Sequence, residues 1–215
     1  MLRVDDIFIS IQGESEDSGY PTLFIRFFGC PIGCSYCDQP QTTFEEYTRE
    51  SLREKVAEIL SEHGNIKHIC ITGGEPLLQE EVALLANDLS SMCGCVSIET
   101  SGCVSIKSFM HFYRRYRYVM DVKCPSSGVV KKNVYDNLKS LLMRDEVKFV
   151  IKDREDYDFM KKVLSEYPTY AHILVSPMFN AEGKMEIGNE LVKWIMEDKI
   201  DCRIQIQLHK ILGCK

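Results

Sequence analysis

Thr22-Leu23-Phe24-Ile25-Arg26-Phe27-Phe28 runs directly into Gly29-Cys30-Pro31-Ile32-Gly33-Cys34-Ser35-Tyr36-Cys37-Asp38. The first seven residues have the length and the apolar, aromatic content of a strand, and the glycines and proline behind them cannot extend it. The same order, apolar run then glycine-rich or polar loop, recurs along the chain. The runs Ile7–Ile11, Thr22–Phe28, His68–Thr72, Val96–Glu99, Tyr118–Val122, Val147–Ile151, Ile173–Val175 and Arg203–Leu208 read as strands. Amphipathic stretches at Leu52–Ser61, Glu80–Met92, Lys107–Tyr116, Tyr157–Glu166 and Asn189–Glu197 read as helices, the first behind a capping box of Ser51 and Glu54. Strands alternating with helices, many of them continuously apolar, predict an α/β fold with a parallel sheet and helices on its outer face. The loops Gly29–Thr43, Gly73–Pro76, Thr100–Gly102, Lys123–Gly128 and Ser176–Gly183 each follow a strand, which puts them on one rim. A full eight-fold barrel takes about 250 residues. The 215 residues here therefore predict a shortened, partial parallel (β/α) barrel, one domain spanning 1–215.

Composition removes several function classes. The chain is 45% hydrophobic and 27% charged, the mix of a globular protein with a real core rather than a disordered or fibrous chain. Its net charge of -6 argues against non-specific binding to nucleic acid or an anionic membrane. No apolar run approaches the ~20 residues of a membrane span, and the N-terminus lacks the pattern of a secretory signal. Ten cysteines without such a signal predict a reducing, cytoplasmic setting in which thiols serve ligation or packing.

Only Cys30, Cys34 and Cys37 cluster, in a Cys-x3-Cys-x2-Cys loop. Three thiolates so close can converge on one soft-metal centre. Zinc wants a fourth ligand and finds none nearby in sequence; an iron–sulfur cluster held by three cysteines leaves one iron open to a ligand. Cys93, Cys95 and Cys103 read as packed or surface thiols, and Trp194, in helical spacing with Leu191 and Ile195, as core.

This cysteine spacing behind an early strand resembles the signature of the radical S-adenosylmethionine (SAM) superfamily, with Tyr36 at its aromatic position. Thr72-Gly73-Gly74-Glu75-Pro76, again after an apolar strand, is similar to the superfamily's Gly-Gly-Glu-Pro motif. A closer likeness covers nearly the whole chain. Ile7-Phe8-Ile9-Ser10-Ile11-Gln12-Gly13-Glu14, Phe24-Ile25-Arg26-Phe27, Glu99-Thr100-Ser101-Gly102, Asp121-Val122-Lys123-Cys124-Pro125-Ser126-Ser127-Gly128, Val175-Ser176-Pro177-Met178 and the 203–210 segment together resemble the 7-carboxy-7-deazaguanine synthase family.

That resemblance implies a 4Fe–4S cluster on Cys30, Cys34 and Cys37. It implies SAM held by Tyr36, Gly73, Gly74, Glu75, Asp121, Val122, Lys123 and Ser176. The substrate, a carboxylated tetrahydropterin, would meet Ile11, Gln12, Gly13, Glu14, Arg26 and Thr72. Arg26 stands in an otherwise apolar strand, so it needs an anionic partner, either a substrate carboxylate or a structural pair with Glu14. The implied reaction is conversion of 6-carboxy-5,6,7,8-tetrahydropterin to 7-carboxy-7-deazaguanine with loss of ammonia, with a flavodoxin-type electron donor and a homodimer. His209 and Lys210 read as closing the barrel, with no catalytic role. One position departs from the family: the hydroxyl residue that follows Cys-Asp and ligates magnesium is replaced by Gln39, with Thr42 the next hydroxyl that could reach. Magnesium is therefore expected to matter weakly or not at all. Two rivals share the cysteine loop: an activase that forms a glycyl radical on a partner protein, and a non-enzymatic zinc module.

Overall fold

In the computed structural model, which describes residues 1–35, 37, 39, 43–109, 114–180 and 182–214, the elements run β1 (Leu2–Ile11), β2 (Pro21–Phe27), β3 (Glu45–Tyr47), α1 (Arg49–Glu62), β4 (His68–Gly73), α2 (Val82–Leu89), β5 (Cys95–Thr100), β6 (Arg117–Asp121), β7 (Glu146–Ile151), α3 (Arg154–Glu166), β8 (His172–Pro177), α4 (Gly188–Asp198), β9 (Arg203–Ile204) and α5 (Leu208–Leu212). One sheet takes the strands in the order β3-β1-β2-β4-β5-β6-β7-β8-β9, with β3 and β9 at its two ends. From β2 to β9 each neighbouring pair is parallel. This is the shortened, open parallel barrel that the strand–loop order predicts. No helix among the described residues is long and apolar enough to cross a membrane.

The parallel strands alternate rather than being apolar throughout. Leu23, Ile25 and Phe27 of β2, Ile69 and Ile71 of β4, Val96 and Ile98 of β5, and Val147, Phe149 and Ile151 of β7 are all buried. They share one apolar cluster with Leu52 and Val56 of α1, Val82, Leu85 and Leu89 of α2, Met160 of α3 and Leu191 of α4. The residues between them point the other way, into the concave face. Register then lines these up in rows: Arg26 beside Thr72, Glu99 beside Val119, Asp121 beside Lys148, and Val150 beside Ser176. Because side chains have period two in a strand, one face can be all core and the other all site.

Several elements differ from expectation. β1 starts at Leu2 and pairs antiparallel with β2, Phe8 opposite Phe24 and Ile11 opposite Pro21. Its carboxyl end, and with it Gln12–Glu14, therefore lies at the end of the barrel opposite the cysteine loop. β3 pairs with Leu2–Val4; three residues of mixed polarity carry no strand signal. The cap of α1 sits one turn earlier than read: Thr48 accepts from the Ser51 amide at 3.0 Å and Ser51 Oγ accepts from the Thr48 amide at 3.0 Å. Over the described part of 107–116 there is a single 3-10 turn, Lys107–Phe109, in place of a helix. The run 203–208 breaks after two residues, and α5 begins at Leu208.

Candidate active site

A cavity of about 280 Å³ opens inside the barrel, a size for small molecules rather than a polypeptide segment. Cys30, Cys34 and Cys37 line it together with Gly73, Gly74, Thr100 and Ser101 from the rim, and Gln12, Gly13 and Glu14 from the other end. The functional loops are thus split. One set follows the carboxyl ends of the parallel strands, as expected; the other is the β1–β2 loop, which forms a floor.

The floor loop is held from within. Gln12 and Tyr20 close it by backbone bonds, and the Ser15 amide donates to Gln205 Oε1 at 2.8 Å. Gly13 has no room for a side chain, since a Cβ there would come within 2.0 Å of the His209 ring. Below, Arg117 is ion-paired with Glu16 and Asp17, and Asp17 also faces His68 Nδ1 at 3.2 Å. Asp17, His68 and Cys95 bring three potential metal-ligating atoms together. Burial pushes the Cys95 thiol up to about 11 despite the neighbouring Arg117, and the Arg117 cation already occupies the carboxylate. The group is a salt-bridged plug.

At the rim the glycines do backbone work. Gly73 has φ of 126°, and a Cβ on it would meet the Phe27 carbonyl oxygen at 2.2 Å. Glycine is required there because β2 and β4 approach so closely. The Gly74 and Glu75 amides donate to Phe27 and Gly29 carbonyls at 2.9 Å each, tying this turn to the start of the cysteine loop. Glu75 is fully buried and does not line the cavity. Its carboxylate accepts from the Leu77 amide at 3.0 Å, the Thr100 hydroxyl at 2.8 Å and the Ser101 amide at 2.8 Å, and from the Ser101 hydroxyl. It joins two rim loops. The cysteine loop is also fixed from the far side: the Ser35 amide and hydroxyl donate to the Ser127 and Ser126 carbonyls, and Lys132 Nζ to the Pro31 and Ile32 carbonyls. The 125–127 turn is anchored in turn by buried Asp156, which accepts from the Ser126 amide at 3.0 Å.

Floor and rim are joined across the cavity by one polar chain. Thr72 Oγ1 donates to Glu99 at 3.0 Å, Gln12 Nε2 donates to the same carboxyl at 3.2 Å, and the Glu14 amide donates to Gln12 Oε1 at 3.1 Å. Glu14 accepts from Lys148 Nζ and Gln207 Nε2, both at 2.5 Å; Lys148 also pairs with Asp121 at 3.1 Å, and Asp121 with Lys123. Burial would raise Glu14 and Asp121, but their lysine partners and hydrogen bonds outweigh it and hold both carboxyls below the usual range. At Glu99 burial wins over Lys148, and its carboxyl is pushed up. Arg26 stands apart from this chain. Its guanidinium lies over the Phe8 ring at 4.9 Å, and its Nε is buried without a hydrogen-bond partner. The pairing of Arg26 with Glu14 is not made, because Glu14 is taken by Lys148 and Gln207.

Of the residues singled out in sequence, Ile11, Gln12, Gly13, Glu14, Arg26, Thr72, Gly73, Gly74, Asp121, Lys123 and the three cysteines line this cavity, as do Gln39, His209 and Lys210. Val122, Ser176 and Glu75 are buried and absent from the lining. Tyr36 and Thr42 lie outside the described residues. Sequence reading missed Glu99 and Lys148 as lining residues and Gln207 as a support. Lys148 carried the same signal as Arg26, a lone cation in an apolar strand. The donor set suits the groups that the sequence implies. Three free thiols face one cavity, with burial raising Cys34 against the pull of Lys123, and a buried guanidinium nitrogen awaits an acceptor.

Residues 24–119 match the family described as the Radical SAM superfamily. A protein of Methanospirillum hungatei named 7-carboxy-7-deazaguanine synthase is 40% identical over 99% of this chain and 86% of its own length. One of the same name from Clostridium acetobutylicum is 34% identical over 98% and 95%. In fold, the crystal structure of QueE from Escherichia coli superposes with a TM-score of 0.70 at 20% identity, covering 97% of this chain and 94% of that one. Full-length identity at this level, with three thiols, a Gly-Gly-Glu-Pro turn and a floor loop around one cavity, establishes that the chain belongs to the 7-carboxy-7-deazaguanine synthase family of radical SAM enzymes.

Proposed function

We propose that this chain, acting as one domain over residues 1–215, converts 6-carboxy-5,6,7,8-tetrahydropterin to 7-carboxy-7-deazaguanine with release of ammonia. The observation that carries the reading is the cavity itself: three thiols at its mouth, an acceptor-rich floor, and Arg26 with an orphaned buried Nε on its wall. Cys30, Cys34 and Cys37 would hold a 4Fe–4S cluster. Gly73 and Gly74 would present backbone to the amino acid part of SAM, with Lys123 and Asp121 near its carboxylate and sugar. When bound, these groups supply the reductive radical chemistry that removes a hydrogen atom from the substrate. Glu14, Gln12 and Thr72 would read the donor edge of the pterin, and Arg26 would fix its carboxylate. The closed floor favours a small substrate over the glycyl loop of a partner protein, and three thiols facing a ligand-sized cavity favour an open cluster over closed zinc. A flavodoxin-type donor, a homodimer and a cytoplasmic location belong to the same reading.

Calorimetry on anaerobic, cluster-loaded protein tests the substrate assignment. The carboxylated tetrahydropterin should bind, and the same pterin without its carboxylate should bind at least tenfold more weakly, as loss of a charge-assisted pair of about 1.5–3 kcal/mol requires. Equal affinity for the two would remove Arg26 from the substrate site. Gln39 lines the cavity where the family places a hydroxyl ligand, and magnesium demands short, near-octahedral oxygen contacts that a longer amide arm cannot copy in place. Turnover in metal-free buffer should match turnover across a magnesium series. Saturable activation lost in Gln39→Ala would return Gln39 to the ligand set.

A further inference from the structure

Lys148 is the one lysine of β7, inward-facing between Val147 and Phe149, which are fully buried in the outer core. Its side chain is 12% exposed, and its ammonium reaches Glu14 at 2.5 Å and Asp121 at 3.1 Å. These two carboxylates belong to different ends of the cavity, Glu14 to the floor and Asp121 to the rim. We propose that Lys148 is a positioning residue for the reaction, whose ammonium keeps Glu14 ionised and aimed at the substrate while tying it to the Asp121 side of the site. The inference rests on the substrate reading above and deepens it.

The chemistry is specific to the charged form. The amino-pyrimidinone edge of a pterin offers adjacent N–H donors, so the group that reads it must accept at both oxygens. An ionised carboxylate does; a protonated one turns one oxygen into a donor. Glu14 is set among other charges: Asp121 on β6 opposes its ionisation, and Glu99 on β5 and Glu14 repel one another. Arg26 on β2, and His209 and Lys210 of α5, line the same cavity, while neutral Gln207 donates to it. Lys148 contacts Glu14 directly. Without that ammonium, burial and the nearby Asp121 carboxyl would push the Glu14 carboxyl up. A lysine kept only for stability would be felt in folding and in both ligands alike, because removing it strands the buried Glu14 and Asp121 carboxylates whatever the ligand.

Lys148→Met keeps all but the last atom of the side chain's length and removes the charge. The test is titration of 6-carboxy-5,6,7,8-tetrahydropterin and, separately, of SAM into anaerobic cluster-loaded protein from pH 6 to pH 9. In the parent protein Glu14 is ionised throughout, so pterin affinity is flat. In Lys148→Met the raised Glu14 is protonated at the acid end, so affinity should be at least tenfold weaker at pH 6 and recover as pH rises. SAM affinity should fall less, because Lys123 still holds Asp121. Lys148→Arg, which keeps the charge, should restore the flat profile. If Lys148→Met does not fold, Glu14→Gln stands in, and it should bind pterin weakly at every pH because an amide does not titrate. Parent-like affinity in either variant overturns the proposal. So does an equal, pH-independent loss for both ligands that Lys148→Arg does not rescue, which would mark Lys148 as packing. A parent protein that binds no pterin overturns the substrate reading and this proposal together; normal parent binding with an unresponsive Lys148→Met overturns the proposal alone.

Discussion

Single residues in this protein declare themselves by breaking the local pattern. Arg26 interrupts β2 and Lys148 interrupts β7, and each turns its cation into the cavity. Their fates differ. Lys148 is fully engaged with Glu14 and Asp121, whereas Arg26 rests on Phe8 with its Nε unsatisfied. A buried donor without an acceptor is costly, about 1–3 kcal/mol, and a ligand carboxylate would satisfy it. Arg26→Lys keeps the charge and loses the planar fork that suits a carboxylate. Pterin affinity in that variant should fall roughly 10–100-fold, the scale of one charge-assisted hydrogen bond, with SAM affinity nearly unchanged. Isothermal titration of both ligands checks this; the opposite split would place Arg26 at the SAM side. Glu75 shows a residue whose motif position was legible and whose protein contacts were not. Its neighbours Thr100 and Ser101 arrive from another strand, and only folding brings their hydroxyls to its carboxylate.

At the scale of elements, the floor loop is the part that the parallel-barrel pattern does not foresee. Its β1 strand runs antiparallel to the rest, and it delivers Gln12–Glu14 from below while the cysteines come from above. What holds it is the plug beneath. Arg117 is 7% exposed at its side chain and pairs with Asp17, itself 10% exposed. The Glu16 arm is about half exposed and adds little. Arg117→Met should strand the Asp17 carboxylate and cost about 3–5 kcal/mol. The thermal midpoint should then drop by roughly 10 °C for a chain of this size. An unchanged midpoint would show that the plug does not support the floor. Rim loops were readable because each follows its strand directly in sequence. The floor, β3 and the 3-10 turns between β6 and β7 were not, since their partners lie far along the chain: Ser15 leans on Gln205, Leu2 pairs with Tyr47, and Ser126 is anchored by Asp156.

In the whole molecule, one alternation of strand faces separates two tasks. The outward residues make a continuous apolar core with the helices; the inward residues make a site whose charges nearly all answer one another. The polar chain from Thr72 to Lys123 runs through Gln12 and Glu14 of the floor and returns to the rim, so substrate and SAM would sit against one hydrogen-bonded network. In the proposed function this cavity, under Cys30, Cys34 and Cys37, contracts a carboxylated pterin. The most direct test is anaerobic incubation of the cluster-loaded protein with SAM, a strong reductant and 6-carboxy-5,6,7,8-tetrahydropterin, with mass spectrometry of the products and an ammonia assay, beside Cys34→Ala and Cys202→Ala. 7-Carboxy-7-deazaguanine and ammonia are expected in equal amounts from the parent and from Cys202→Ala, and neither from Cys34→Ala. Recovery of unchanged pterin from a parent protein that carries four irons and cleaves SAM would contradict that function.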